Sequence, residues 1–382
     1  MTNQKYIALI DCDSFFVSCE RKLNPELKSL PVSVVSGERG CVIARSREAK
    51  ALGIPMGIPL FQAVEKYPEC MYITANHYAY TKISAMVMQI LKEYSPNVQV
   101  YSIDEAFVDF TGLTKLYKKN YFKLAYEIQQ RILKEVDIPV SIGIGKTKSI
   151  AKLASDKSKN TSTHISLVGK SKLRDVLRYT DIQEVWGIGR KLGVKLRGLG
   201  VRTAYDYVMR DDSWIKARFG KNGLAIKSEL LGIMVSQISN EIELPKSISD
   251  TKSFLEFSSD LQFLKNELSI HIHDVCTRLR KINCKASTIG VILKTKDFRT
   301  LYSKIQVAVP INFEFEISKY AFPVLEKMFS SDTLYRSVGI VLEDFNLCSQ
   351  EQLILFDTDT KREQKEKLGK SLDKLEQKFG RN

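Results

Sequence analysis

The 382-residue sequence predicts a mixed α/β and α+β protein of several domains, the first built on a ferredoxin-like sheet. Three observations carry that prediction. A β-α-β-β-α-β order runs through the first part of the chain, a Gly-punctuated run of short helices follows from about residue 170 to 236, and a second α/β stretch ends near Phe345. With 44% hydrophobic residues, a chain of this length can bury roughly two to four cores.

Tyr6 to Ile10 (YIALI) forms a short apolar strand, and Ser14 is placed to cap a helix over SFFVSCERKL. LPVSVVSGERGCVIARS reads as two strands about a Gly-containing turn, and REAKALG as a short helix stopped at Gly53. CMYIT is a strand, YAYTKISAMVMQILKEYS an amphipathic helix ending before Pro96, and VQVYSI with AFVDF a hairpin. The helix YFKLAYEIQQRILKEV and the strand PVSIGIG complete the order, which an insertion interrupts near residues 25 to 75. Ser239 to Ser253 is polar enough to be a linker. Beyond it come the strands ASTIGVILKTK, LYSKIQVAV and YRSVGIVLEDF, a helix carrying His271 and His273, and a Lys/Glu-rich tail.

The 58 Lys and Arg outnumber 44 Asp and Glu, leaving +14, which favours a polyanionic partner such as nucleic acid or an anionic membrane surface. A merely basic cytosolic protein is the plainer alternative. Seven cysteines form no C-x-x-C pair, and their odd number argues against a disulfide framework, so a reducing, cytoplasmic setting is expected. The start MTNQKYIALIDCD turns acidic after a few apolar residues, unlike a signal peptide, and no apolar run is long enough to span a membrane.

VQVYSIDEAFVDF sets two adjacent carboxylates, Asp104 and Glu105, at the turn of the predicted hairpin. Asp11 closes the first strand, which lies beside that hairpin in a β-α-β-β sheet, so three carboxylates can converge. Anions so close repel one another unless a cation neutralises them, and oxygen-only ligands suit Mg²⁺ or Mn²⁺ rather than zinc. Two such ions activate an attacking oxygen and stabilise a leaving one in phosphoryl transfer. An isolated Asp-Glu pair that only polarises an exposed turn is the competing explanation, and Asp11 at a strand end weighs against it.

VWGIGRKLGVKLRGLGV, Val185 to Val201, has the G-h-G turn and spacing of a helix-hairpin-helix motif. Gly187 and Gly189 let the backbone approach a phosphate closely, and Arg190, Lys191, Lys195 and Arg197 add charge. An ordinary αα-hairpin with a solvated basic face is the alternative. GIGKTKSIAKLASDKSK lacks P-loop spacing, although its lysines can meet a triphosphate. His77, His164, His271 and His273 suggest no nucleophilic triad.

IDCDSFFVSCE, CVIARSREAKALGIPMG, YSIDEAFVDFTG, SIGIGKTKSIAKLASDKSK and the helix-hairpin-helix, in this order, resemble a Y-family translesion DNA polymerase, closest to the UmuC branch. The resemblance covers residue 6 to about 345. It implies a right-hand polymerase: palm at 1–24 and 76–170, fingers at 25–75, thumb at 171–238, linker at 239–253 and little finger at 254–348. It further implies Asp11, Asp104 and Glu105 as metal-binding carboxylates with the Cys12 carbonyl, Phe16 as the steric gate under the sugar, and Lys159 and Lys50 on the incoming triphosphate. Arg47 stands where many members carry Tyr, and a guanidinium can take over that phosphate contact. Lys294, Lys296, Arg299 and Lys304 are placed to track DNA phosphates.

The implied reaction joins a primer 3′-hydroxyl to the α-phosphate of a dNTP on primer-template DNA, in damage tolerance and SOS mutagenesis, and no segment looks like a proofreading nuclease. Two rivals are a DNA-binding scaffold of the same fold and a palm-type nucleotide cyclase. In the tail, Gln352, Leu353, Ile354, Leu355 and Phe356 resemble the peptide by which bacterial polymerases bind the sliding clamp, against the alternative of a last core strand. UmuD-like or RecA-like proteins are further implied partners, with action at the nucleoid. Leu368, Leu372, Leu375 and Phe379 recur at helical spacing and predict an amphipathic helix that docks on the body or on a partner.

Overall fold

The computed structural model describes residues 5–239, 244–348 and 362–379. The chain divides into two units, Met1–Ile242 and Glu243–Asn382.

The first unit opens with β1 (Ile7–Cys12), buried along its whole length, and α1 (Phe15–Leu23). Ser14 does precede α1, but it sits in left-handed backbone and makes no side-chain capping bond. The insertion then builds a small lobe: β2 (Val32–Val35), β3 (Val42–Arg45), α2 (Arg47–Ala51), α3 (Leu60–Lys66) and β4 (Met71–Thr74). Its sheet runs β3-β2-β4, with β4 parallel to β2, over a core that includes Val35, Val42, Ile54 and Ala63.

After the lobe come α4 (His77–Tyr94), β5 (Val98–Val100), β6 (Glu105–Asp109), α5 (Leu113–Leu116), α6 (Tyr121–Val136), β7 (Val140–Gly145), α7 (Lys148–Ser158) and β8 (Ile165–Leu167). The main sheet runs β5-β6-β1-β7-β8. Its first four strands have the ferredoxin-like order, with β1 antiparallel to both β6 and β7. Apolar residues of α4 and α6, such as Val87, Leu91, Ile128 and Ile132, share one core with Ala8 and Ile10 of β1. The opposite face carries Ile7, Leu9 and Phe107 against Ala151 of α7.

A helical region completes this unit: α8 (Lys170–Tyr179), α9 (Arg190–Gly198), α10 (Ala204–Val208) and α11 (Asp212–Leu230), the last interrupted at Gly220 (φ 64°). Leu196, Ile182, Tyr207 and Ile215 share its core.

The second unit contains β9 (Ser247–Ser258), α12 (Leu261–Lys281), β10 (Cys284–Thr295), β11 (Thr300–Ile311), α13 (Glu314–Met328), β12 (Tyr335–Leu347) and α14 (Arg362–Phe379). Its sheet runs β11-β10-β12-β9, and α12 and α13 share its core. The segment expected to be a linker, 239–253, is corrected here, because from Ser247 it pairs with β12. As an edge strand β9 buries only Ile248 and Phe254, so its Ser, Asp and Lys residues hid the alternation. Among the described residues the cysteines form no disulfide with one another. Among the described residues no helix is long and apolar enough to cross a membrane.

Candidate active site

Alternation along the strands turns Asp11 to the same face of β1 as Ile7 and Leu9, and Glu105 to the same face of β6 as Phe107. The register sets Asp11 directly opposite Glu105. The Cys12 N–H donates to the Asp104 carbonyl at 2.9 Å, which holds the hairpin turn against the end of β1. Asp11 and Glu105 therefore face each other at one end of two central strands, with Asp104 beside Glu105 at the turn and all three lining one cavity.

α7 lies close over that face because Gly143 of β7 has no side chain: a Cβ there would overlap the backbone of Ala151 and Ser155. Lys152 in this helix and Lys159 at its C-cap, two turns on, reach the carboxylates. Lys159 Nζ lies 2.8 Å from Asp11 Oδ2. Lys152 Nζ bonds Glu105 and stands 4.0 Å from Asp11 Oδ2. Asp104 instead accepts a hydrogen bond from the Ser102 hydroxyl at 2.6 Å. Burial pushes the Glu105 carboxyl above the usual carboxylate range; Lys152 draws it back and Asp11 pushes it further. Burial also works against the charge on Lys159, but Asp11 outweighs it and the ammonium is held above its ordinary value.

Among the described residues, no three His, Cys, Asp or Glu side chains are gathered tightly enough to hold a metal ion as they stand. The bonds above give the reason: two ammonium groups neutralise Asp11 and Glu105, and Asp104 faces Ser102. The donor set itself suits a hard cation, since it is oxygen-only and sits on facing residues whose charge needs a counter-ion.

Beside the carboxylates is a cavity of about 290 Å³ lined by Asp11, Ser14, Phe16, Lys50, Glu105 and Lys159 among others. Both Phe15 and Phe16 line the cavity; Phe15 is buried, while Phe16 is only partly buried and stacks on Tyr80 with ring centroids 4.8 Å apart. Lys50 Nζ is 3.4 Å from the Ser14 hydroxyl, and burial, then Arg45 and Lys159, lower its pKa. Arg47 is not among the lining residues; it turns toward Asp13 and His164. Two lining cations were not singled out from the sequence. Lys152 could have been found by its two-turn spacing from Lys159, and Arg45, whose Nε is buried without a partner, carries no such signal.

In the helix-hairpin-helix segment Gly187 adopts φ 90° and Gly189 caps α9, but the helix before the turn is only a 3₁₀ turn, Ile182–Glu184. Arg190 and Lys191 are exposed at the start of α9, whereas Arg197 is paired with Asp181 at 2.7 Å. In the second unit Lys294 and Arg336 flank the exposed ring of Phe298, Lys296 lies over Phe257, and Arg299 is exposed at the β10–β11 turn. Phe298 and Arg336 were not anticipated. Lys304 is ion-paired with Glu343 at 2.9 Å. Gln352, Leu353, Leu355 and Phe356 lie outside the described residues.

The sequence matches the impB/mucB/samB family over residues 10–156 and the C-terminal domain of that family over residues 245–355. Protein UmuC of Salmonella typhimurium is 31% identical, across 98% of this chain and 91% of its own length. DNA polymerase IV of Dehalococcoides mccartyi is 32% identical, across 97% and 94% respectively. A solved Y-family DNA polymerase chimera of Dbh and Dpo4 superposes with a TM-score of 0.78 at 25% identity, covering 90% of this chain and 99% of the other. Similarity that runs through both units and reaches a solved polymerase fold leads to one conclusion: the chain belongs to the impB/mucB/samB family and is a UmuC-like translesion DNA polymerase of the Y-family.

Proposed function

We propose that this polymerase extends a primer on damaged template DNA with Asp11, Asp104 and Glu105 as its metal-binding carboxylates. The pairing of Asp11 with Glu105 in register, under two lysines of one helix, carries that assignment. The carboxylates, with the Cys12 carbonyl, would hold two divalent ions, Mg²⁺ with Mn²⁺ as a substitute, which when bound activate the attacking oxygen and stabilise the leaving one. The chain's own residues bind and orient. Lys159 and Lys50 hold the triphosphate of the dNTP, with Arg47 beside them, and Phe16 sits under the sugar where a 2′-hydroxyl would collide. Gly187, Gly189, Arg190 and Lys191 grip DNA phosphates without reading bases, as do Lys294, Lys296 and Arg299.

In this assignment residues 1–24 and 76–170 are the palm, 25–75 the fingers and 171–238 the thumb, and the little finger begins at β9. Insertion is of low fidelity and without proofreading. Gln352 to Phe356 tether the polymerase to a bacterial sliding clamp, and UmuD-like or RecA-like proteins are further partners at the nucleoid. The test is primer extension with dNTPs and Mg²⁺, run beside cyclisation of free NTP. Templated extension without cyclisation is expected; cyclisation alone would make the chain a palm-type cyclase, and DNA binding with neither reaction a scaffold.

A further inference from the structure

We propose that His164 is a positioning residue that holds the Arg47 guanidinium at the triphosphate end of the cleft. The proposal rests on the assignment of Lys50 and Lys159 to the nucleotide made above. Arg47 is the first residue of α2, in the small lobe, while His164 precedes β8 on the main sheet. The two meet: Arg47 Nη2 is 3.1 Å from His164 Nε2. Behind them, His164 Nδ1 is 3.1 Å from Ser141 Oγ and 3.3 Å from Asp13 Oδ2, and the Ser141 hydroxyl donates to Asp13 Oδ1 at 2.7 Å.

This arrangement admits one set of protons. A guanidinium only donates, so Nε2 must accept and Nδ1 must carry the imidazole proton. That proton faces two acceptors, Asp13 Oδ2 and a lone pair of Ser141, whose own proton is given to Asp13. Each donor in the chain Arg47, His164, Ser141, Asp13 therefore has an acceptor. The far end is fixed, because Ser141 is fully buried in β7. The near end is not, because the Arg47 side chain is 70% exposed and its 4.0 Å approach to Asp13 is too long to define one rotamer.

A long exposed arginine loses rotamer freedom when it grips a ligand. Holding it by one nitrogen beforehand lessens that loss and leaves its other donors free. Its neighbours suggest what they meet. Lys50, one turn along α2, feels Arg45, Lys159 and Arg47 together, and such a cluster of cations takes a ligand with several charged oxygens, the outer phosphates of a dNTP.

Single-nucleotide insertion on primer-template tests this with four variants. Arg47→Ala should raise KM for dNTP about fivefold with kcat within about twofold. His164→Leu should do the same, and the double variant should be no worse than Arg47→Ala alone. His164→Gln, whose amide oxygen can take the place of Nε2, should restore most of the loss. If His164→Leu does not fold, His164→Asn replaces it, since its amide still donates toward Ser141 and Asp13 but falls short of Arg47. An unchanged KM in His164→Leu or its Asn replacement, additive losses, or no rescue by Gln overturns the proposal. If Asp104→Ala abolishes extension while the Arg47 and His164 variants behave as wild type, the polymerase assignment stands and this one falls. If the wild-type chain extends no primer, both fall.

Discussion

Asp11 and Glu105 face each other across antiparallel strands, and one helix meets both carboxylates, Glu105 through Lys152 and Asp11 through Lys159 at its C-cap. Each of these two carboxylates thus has an ammonium group against it at the floor of the cavity.

Replacing a carboxylate separates chemistry from DNA binding. Asp104→Ala or Glu105→Ala should lower nucleotide addition by about a thousandfold or more, while primer-template affinity stays within a few-fold, because affinity draws on Lys and Arg contacts elsewhere. Gel-based extension and fluorescence anisotropy on the same preparations check this, and extension retained by either variant would remove the metal assignment.

Glu105→Gln gives a readout independent of activity. The folded-state pKa of Glu105 is raised, chiefly by burial, so its ionised form costs stability that the protonated form does not. Below the unfolded carboxyl value, about 4.3, both states are protonated and the variant should match wild type. As pH rises through the folded value, wild type loses stability and the amide does not, so the variant should melt higher at neutral pH without divalent metal. Added Mg²⁺ should raise the Tm of wild type more than that of the variant. Equal melting curves from about pH 4 to about pH 8 would contradict the electrostatic account.

Phe16 lines the cavity, partly buried and stacked on Tyr80. Phe16→Ala should therefore relax discrimination against rNTPs by about tenfold or more, with a modest loss of melting temperature. An unchanged rNTP/dNTP ratio would leave the ring a purely structural role.

Leu355→Ala combined with Phe356→Ala should leave unassisted extension and Tm nearly unchanged and remove stimulation by a bacterial sliding clamp. Anchors of this kind act by raising residence on DNA, not by altering the chemistry. A large drop in Tm would identify the pair as core residues instead.

Local chemistry made much of this protein legible before folding. Short apolar runs and hairpin spacing located β1, β6 and β7, and with them the approach of Asp11 to Glu105, because a ferredoxin-like order makes β1 the neighbour of the hairpin. Other features depend on distant partners that no spacing records. Lys152 reaches Glu105 because Gly143 lets α7 lie close to the sheet. Arg47 meets His164, which follows it by more than a hundred residues. β9 passed for a linker because an edge strand buries so few of its side chains. The last helix shows the division most plainly. Its apolar stripe, Leu368, Leu372, Leu375 and Phe379, was readable at helical spacing, yet these residues are exposed. α14 docks on α12 through Asp373 with Arg280, 2.7 Å apart, and Glu376 with His273, 3.0 Å apart. Periodicity states which side chains share a helix face; which face is covered depends on charges that meet only once the chain has folded.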